Sequence, residues 1–153
     1  MLACAFFGHR KIKETEELKL KVYRAVEKLV LERNVDTFLF GSKSQFDDLC
    51  YNEVSKIKEK YPHIKRIYVR AEYPVIDKKY ESYLLKSYER TYYPEKIKKC
   101  GVAVYIKRNY EMIDKSQYCI VHFNEFEKPT DRKSGTEIAL NYAVKKGKEI
   151  IKL

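Results

Sequence analysis

Apolar residues recur along the chain in short blocks separated by longer amphipathic stretches. Residues 2–7 form an unbroken apolar run that ends at Gly8, the pattern of a strand buried on both faces. Leu18, Val22, Ala25, Val26, Leu29 and Val30 then repeat with a helical period, and Glu14, Glu16 and Glu17 crowd the first turn, where negative charge complements the dipole. Residues 37–40 predict a second strand ending at Gly41, and a helix over 46–60 stops before Tyr61-Pro62. A third strand follows over 64–69. The tyrosine-rich segment 72–93 reads as irregular and then helical over 83–89, with a short helix at 95–99 and a brief strand at 102–105. A helix over 109–114 leads to a strand at 118–123, a helix over 135–146 and a closing strand at 149–153. Strands alternating with helices, without tight hairpin signals, predict an α/β fold: an open, mostly parallel sheet with helices on both faces in a Rossmann-like three-layer sandwich.

A chain of 153 residues fits a single domain. No apolar stretch approaches the roughly 20 residues needed to span a bilayer, so no membrane partner is expected. The apolar N-terminal segment is short and lacks a basic flank, so it reads as a strand and not as a secretory signal. Cys4, Cys50, Cys100 and Cys119 include no C-x-x-C pair and predict reduced thiols in a cytoplasmic protein, with no metal site or cofactor.

Lys and Arg number 32 against 22 Asp and Glu, a net charge of +10, which favours a phosphorylated or polyanionic partner. The excess is distributed as solvated lysine, without a basic tail. Aromatic and basic residues do not interleave in a nucleic-acid-binding motif, which ranks single-stranded nucleic acid below a small anionic ligand.

Four segments at expected strand ends or helix starts carry groups that hold phosphate or sugar. The first is Gly8-His9-Arg10, a sharp turn followed by two donor side chains. In the second, Gly41-Ser42-Lys43-Ser44 precedes Phe46 and Asp47, and backbone N–H groups at a helix start can face an anion. Ser44 and Asp47 also spell a capping box, and the segment matches neither a P-loop nor G-x-G-x-x-G. The third holds Arg108 and Asn109, whose guanidinium fork and amide suit a phosphate or a ribose hydroxyl, followed by Met112. The fourth is Ser134-Gly135-Thr136-Glu137, again a capping box, with amides and a hydroxyl able to form an anion cup. Tyrosines between 73 and 93 can supply a stacking wall for a base or pack on the sheet as a helix face. His9 is the histidine placed to meet a ligand, whereas His122 lies inside an apolar strand.

In this order the segments resemble the SLOG superfamily, the Rossmann-like group that includes the Lonely Guy phosphoribohydrolases and DprA, and within it the YpsA-like branch. The resemblance rests on F-G-H-R at 7–10, G-x-x-x-x-F-D at 41–47, R-N-x-x-M-I-D at 108–114 and S-G-T at 134–136. It implies a nucleotide-derived ligand over the strand ends, such as ADP-ribose, a cyclic ADP-ribose-like signal or a nucleoside phosphate, and a homo-oligomer. Lonely Guy enzymes carry R-K-x-x-M and P-G-G-x-G-T-x-x-E, whose Arg and final Glu serve N-glycosidic hydrolysis. Arg108 and Met112 match the first, with Asn109 at its Lys. In the second, Ala139 stands where the glutamate belongs, and Glu137 sits about 160° to 200° away around the helix. The expectation is therefore a binding domain that keeps the ligand cup. The alternative is a phosphoribohydrolase that recruits Glu137, Asp47 or Asp114.

Overall fold

The computed structural model describes residues 1–124 and 134–153. Six strands form one all-parallel sheet: β1 (Ala3–Gly8), β2 (Thr37–Phe40), β3 (Lys65–Val69), β4 (Arg90–Tyr92), β5 (Tyr118–His122) and β6 (Glu149–Lys152). Among the described residues five α-helices connect or flank them: α1 (Glu16–Arg33), α2 (Gln45–Lys60), α3 (Lys78–Leu84), α4 (Val104–Asp114) and α5 (Gly135–Lys145). The spatial order is β4-β3-β2-β1-β5-β6, so the chain winds outward from β1 in one direction and then in the other. The reversal lies between β1 and β5, which is where open α/β sheets hold ligands. Among the described residues no helix is long and apolar enough to cross a membrane.

Alternation along β1 divides the core. Cys4 and Phe6 face α1 and α2 and pack with Val22, Phe38, Phe40 and Ile57. Ala3, Ala5 and Phe7 face the opposite side and pack with Met112, Ile113, Ala139 and Ala143. Both faces are thus covered, and so β1, β2 and β5 read as continuous apolar runs.

The helix starts are capped by the residues the sequence offers. Thr15, Ser44 and Ser134 accept the N–H groups of Leu18, Asp47 and Glu137 at 3.1, 3.0 and 3.1 Å. Asn34 ends α1 in the left-handed region with φ 57°.

Between 72 and 105 the structure departs from the sequence reading. Asp77 caps the N-terminus of α3 by accepting the Tyr80 N–H at 2.8 Å, so the helix starts at Lys78 and is over by Leu84, well before the expected 83–89. The next residues form an edge strand, β4, which the sequence reading lacks. It is anchored beside β3 by a two-pronged ion pair in which Arg66 Nη2 and Nε donate to the Glu89 carboxylate at 2.7 and 3.1 Å. The expected strand at 102–105 does not form: Gly101–Ala103 is a 3-10 turn that runs straight into α4. Its apolar residues serve an amphipathic helix, and Arg108 and Asn109 therefore lie inside α4 and not at its cap.

Candidate functional site

The carboxyl ends of β1, β2 and β3 and the N-termini of α2 and α5 open on one cavity of 970 Å³. Its floor begins at Gly8. A β-carbon there would lie 2.5 Å from Phe46 Cβ, so only glycine lets α2 come this close. Phe46 is fully buried and stacks on the His122 ring with centroids 5.5 Å apart. It supports the turn from below and does not line the cavity.

His9 is 5% exposed and lines the cavity. Its Nε2 lies 3.0 Å from the amide nitrogen of Asn124 and 3.1 Å from its carbonyl oxygen, which ties the end of β1 to the end of β5. Arg10 and Lys11 are exposed at the rim, and the Arg10 carbonyl accepts the Gln45 N–H at 2.8 Å, joining this loop to the start of α2.

Gly41 closes β2 under α4. Arg108 Nη1 donates to the carbonyls of Gly41 and Val69 at 2.5 and 3.4 Å, and Nε donates to Asn109 Oδ1 at 2.9 Å. A β-carbon at Gly41 would stand 2.7 Å from both Arg108 Cδ and Met112 Sδ. Met112 is core, while Arg108 and Asn109 line the cavity. Arg108 is 4% exposed and makes no ion pair among the described residues. Its charge is aimed at carbonyl oxygens, which leaves it available to an anion. Burial draws its pKa down, opposed by the field of Asp47.

Ser42, Lys43 and Ser44 line the cavity beside Gly41, and the Ser42 hydroxyl donates to Ser44 Oγ at 3.0 Å. Asp47 lies behind them, 5% exposed, with Oδ1 lacking a hydrogen-bond partner. Burial pushes its carboxyl well above the usual carboxylate range, against the pull of Arg108 and of the Gly41 N–H. A carboxyl raised on folding lends stability below its unfolded pKa, and this is lost as pH rises through the folded value. Asp47→Asn is accordingly expected to unfold at a higher temperature than the parent at about pH 8 and to lose that advantage toward about pH 4. A difference in Tm that stays constant across this range refutes the assignment.

At the α5 end, Ser134, Gly135 and Thr136 line the cavity, and among the described residues nothing stands within 4 Å of where a β-carbon at Gly135 would lie. Glu137, Asp47 and Asp114 are not among the lining residues; Asp114 instead accepts the Tyr142 hydroxyl at 2.8 Å. Of the tyrosine wall, Tyr73 and Tyr80 reach the cavity, with rings edge-on at 5.9 Å. Tyr83 is exposed, and Tyr88 and Tyr92 pack on the two cores. His63 is exposed, and His122 Nδ1 bonds to the Leu153 carbonyl at 3.0 Å. Cys4, Cys50 and Cys119 are buried free thiols, and among the described residues no His, Cys, Asp or Glu cluster could hold a metal ion.

Sequence reasoning passed over Tyr68, Arg70, Glu72 and Tyr105, all of which line the cavity. The available signal was positional: β3 ends beside β2, so its mouth has the same claim as the mouths of β1 and β2. Arg70 is buried and donates Nε to the Tyr73 carbonyl at 3.2 Å and Nη1 to Thr91 Oγ1 at 3.0 Å. Tyr73 holds φ 60°, a left-handed conformation rare for an aromatic residue and one that marks a constrained loop. Among the described residues, five cationic side chains, Arg10, Lys11, Lys43, Arg70 and Arg108, and one carboxylate, Glu72, line the cavity.

No protein-family model matches the chain, and no curated protein matches it.

Proposed function

We propose that the cavity binds a small nucleotide-derived anion and that the chain acts as a binding module that senses or sequesters it. The observation that carries this reading is the convergence on one cavity of two helix N-termini, the glycine turns at 8 and 41 and the buried guanidinium of Arg108, which makes no ion pair among the described residues. Helix N-termini and oriented amides favour phosphate, and a guanidinium fork suits its oxygens. Tyr73 and Tyr80 offer the apolar faces on which a base can rest. The resemblance to the SLOG superfamily points to the same ligand class, and with it to self-association of the chain. The carboxylates expected to serve N-glycosidic hydrolysis, Glu137, Asp47 and Asp114, stand outside the described cavity lining, and Glu72, the carboxylate within it, is engaged by the Tyr105 hydroxyl, which favours binding.

Thermal unfolding with NAD, ADP-ribose, cyclic nucleotides and nucleoside monophosphates tests the reading. A ligand at about 100 times its dissociation constant adds about 2.7 kcal/mol of stability and raises Tm accordingly. No rise with any of them at millimolar concentration overturns the proposal. Release of free base from AMP or NAD, absent in a Glu137→Gln control, would replace it with the hydrolase reading.

A further inference from the structure

Among the described residues that line the cavity, Glu72 is the one carboxylate beside five cations, and it has no ion pair with any described residue. Glu72 nevertheless has a defined place. Its Oε1 accepts the Tyr105 hydroxyl, and it sits between Ala71, which is buried, and the left-handed Tyr73, whose carbonyl is held by Arg70. Tyr105 precedes Arg108 by one turn on the same face of α4, a spacing that puts β-carbons about 5–6 Å apart. An acceptor held by Tyr105 and the buried guanidinium of Arg108, one helical turn beyond Tyr105, thus line one ligand space.

A carboxylate cannot pair with phosphate oxygens and repels them. It pairs with hydroxyl or amino donors, and two carboxylate oxygens suit two neighbouring hydroxyls. In a nucleotide the sugar is joined directly to the phosphate, whereas the base lies farther out, toward Tyr73 and Tyr80. We propose that Glu72, oriented by Tyr105, accepts hydrogen bonds from the ribose hydroxyls of the ligand, so that the site selects ribonucleotides carrying a free vicinal diol over deoxyribonucleotides. This rests on the nucleotide-binding reading above.

Calorimetric titration with ribose 5-phosphate and 2-deoxyribose 5-phosphate isolates the sugar from the unknown base, with inorganic phosphate as the reference anion. The parent is expected to bind the ribose compound about tenfold or more tightly than its deoxy counterpart, the effect of one hydrogen bond to a charged acceptor. Glu72→Gln is expected to bind both sugars within about twofold to threefold of each other, and Tyr105→Phe to fall between. Glu72 is exposed, so the glutamine variant should keep the parent's unfolding temperature without ligand. Equal affinity of the parent for the two sugars, or discrimination unchanged in Glu72→Gln, overturns the assignment while leaving anion binding in place. If neither sugar phosphate, nor inorganic phosphate, nor any nucleotide binds the parent, the nucleotide-binding reading falls and this assignment with it.

Discussion

Arg108→Ala is expected to abolish ligand-induced stabilisation in a chain that still folds. The guanidinium is 4% exposed, and its Nη1 bridges the carbonyls of Gly41 and Val69 at the ends of β2 and β3. Removing it leaves those carbonyls without this donor, at about 1–3 kcal/mol, against the 5–15 kcal/mol typical of a domain. The loss of affinity should be larger, because the guanidinium fixed where β2 and β3 end would be gone and Arg70 alone would remain as a buried cation of the described lining: about a hundredfold or more. Arg108→Lys restores the charge without the planar fork and should recover part of that affinity. Calorimetry with whichever compound raises the parent's Tm is the measurement. Parent-like affinity in Arg108→Ala would place the anion elsewhere.

Gly8→Ala should be the most destabilising small substitution at the cavity, at about 3 kcal/mol, the upper part of the usual overpacking range. The added β-carbon would lie 2.5 Å from Phe46 Cβ, an atom fixed to the α2 backbone and not the far end of a flexible side chain. Phe46 has no room to retreat, since it is fully buried and stacked on His122. Urea unfolding of Gly8→Ala, of Phe46→Ala and of the two combined gives the coupling directly, and Phe46→Ala, which removes the Cγ and Cδ2 atoms 2.3 Å from the added β-carbon, should relieve part of the first change. A loss below about 0.5 kcal/mol in Gly8→Ala alone would show that α2 yields more easily than its packing implies.

The strands that are buried on both faces were the most legible in the sequence. β1, β2 and β5 are apolar runs closed by glycine or a polar turn, and the helices α1, α2 and α5 announce themselves by period and by Thr or Ser caps. The segment from 72 to 105 was not. β4 is three residues long and owes its place to the Arg66–Glu89 pair and to β3, neither of which is local in sequence. The four residues expected as a strand at 102–105 are apolar enough for either period; Val102 and Ala103 complete the 3-10 turn, and only the continuation through Met112 and Ile113 assigns Val104 and Tyr105 to a helix.

That misreading had a consequence for the site. Arg108 was found as a cation near a helix start, but its burial inside α4 and its bonds to two strand-end carbonyls could not be read without the sheet. Tyr105, on the same helix face, stayed hidden for the same reason, and Glu72 with it. Phe46 and Met112 adjoin the expected ligand residues in sequence. The structure places them one layer deeper, where each touches the space that a glycine leaves open.

The join between the ends of β1 and β5 does not depend on which tautomer one ring adopts. His9 Nε2 has both a donor and an acceptor of Asn124 at nearly equal reach. With Nε2 bare the ring takes the amide hydrogen, and in the tautomer that carries its hydrogen on Nε2 the ring offers it to the carbonyl. The two halves of the sheet therefore stay fastened in either tautomer, and this corner of the chamber keeps its shape.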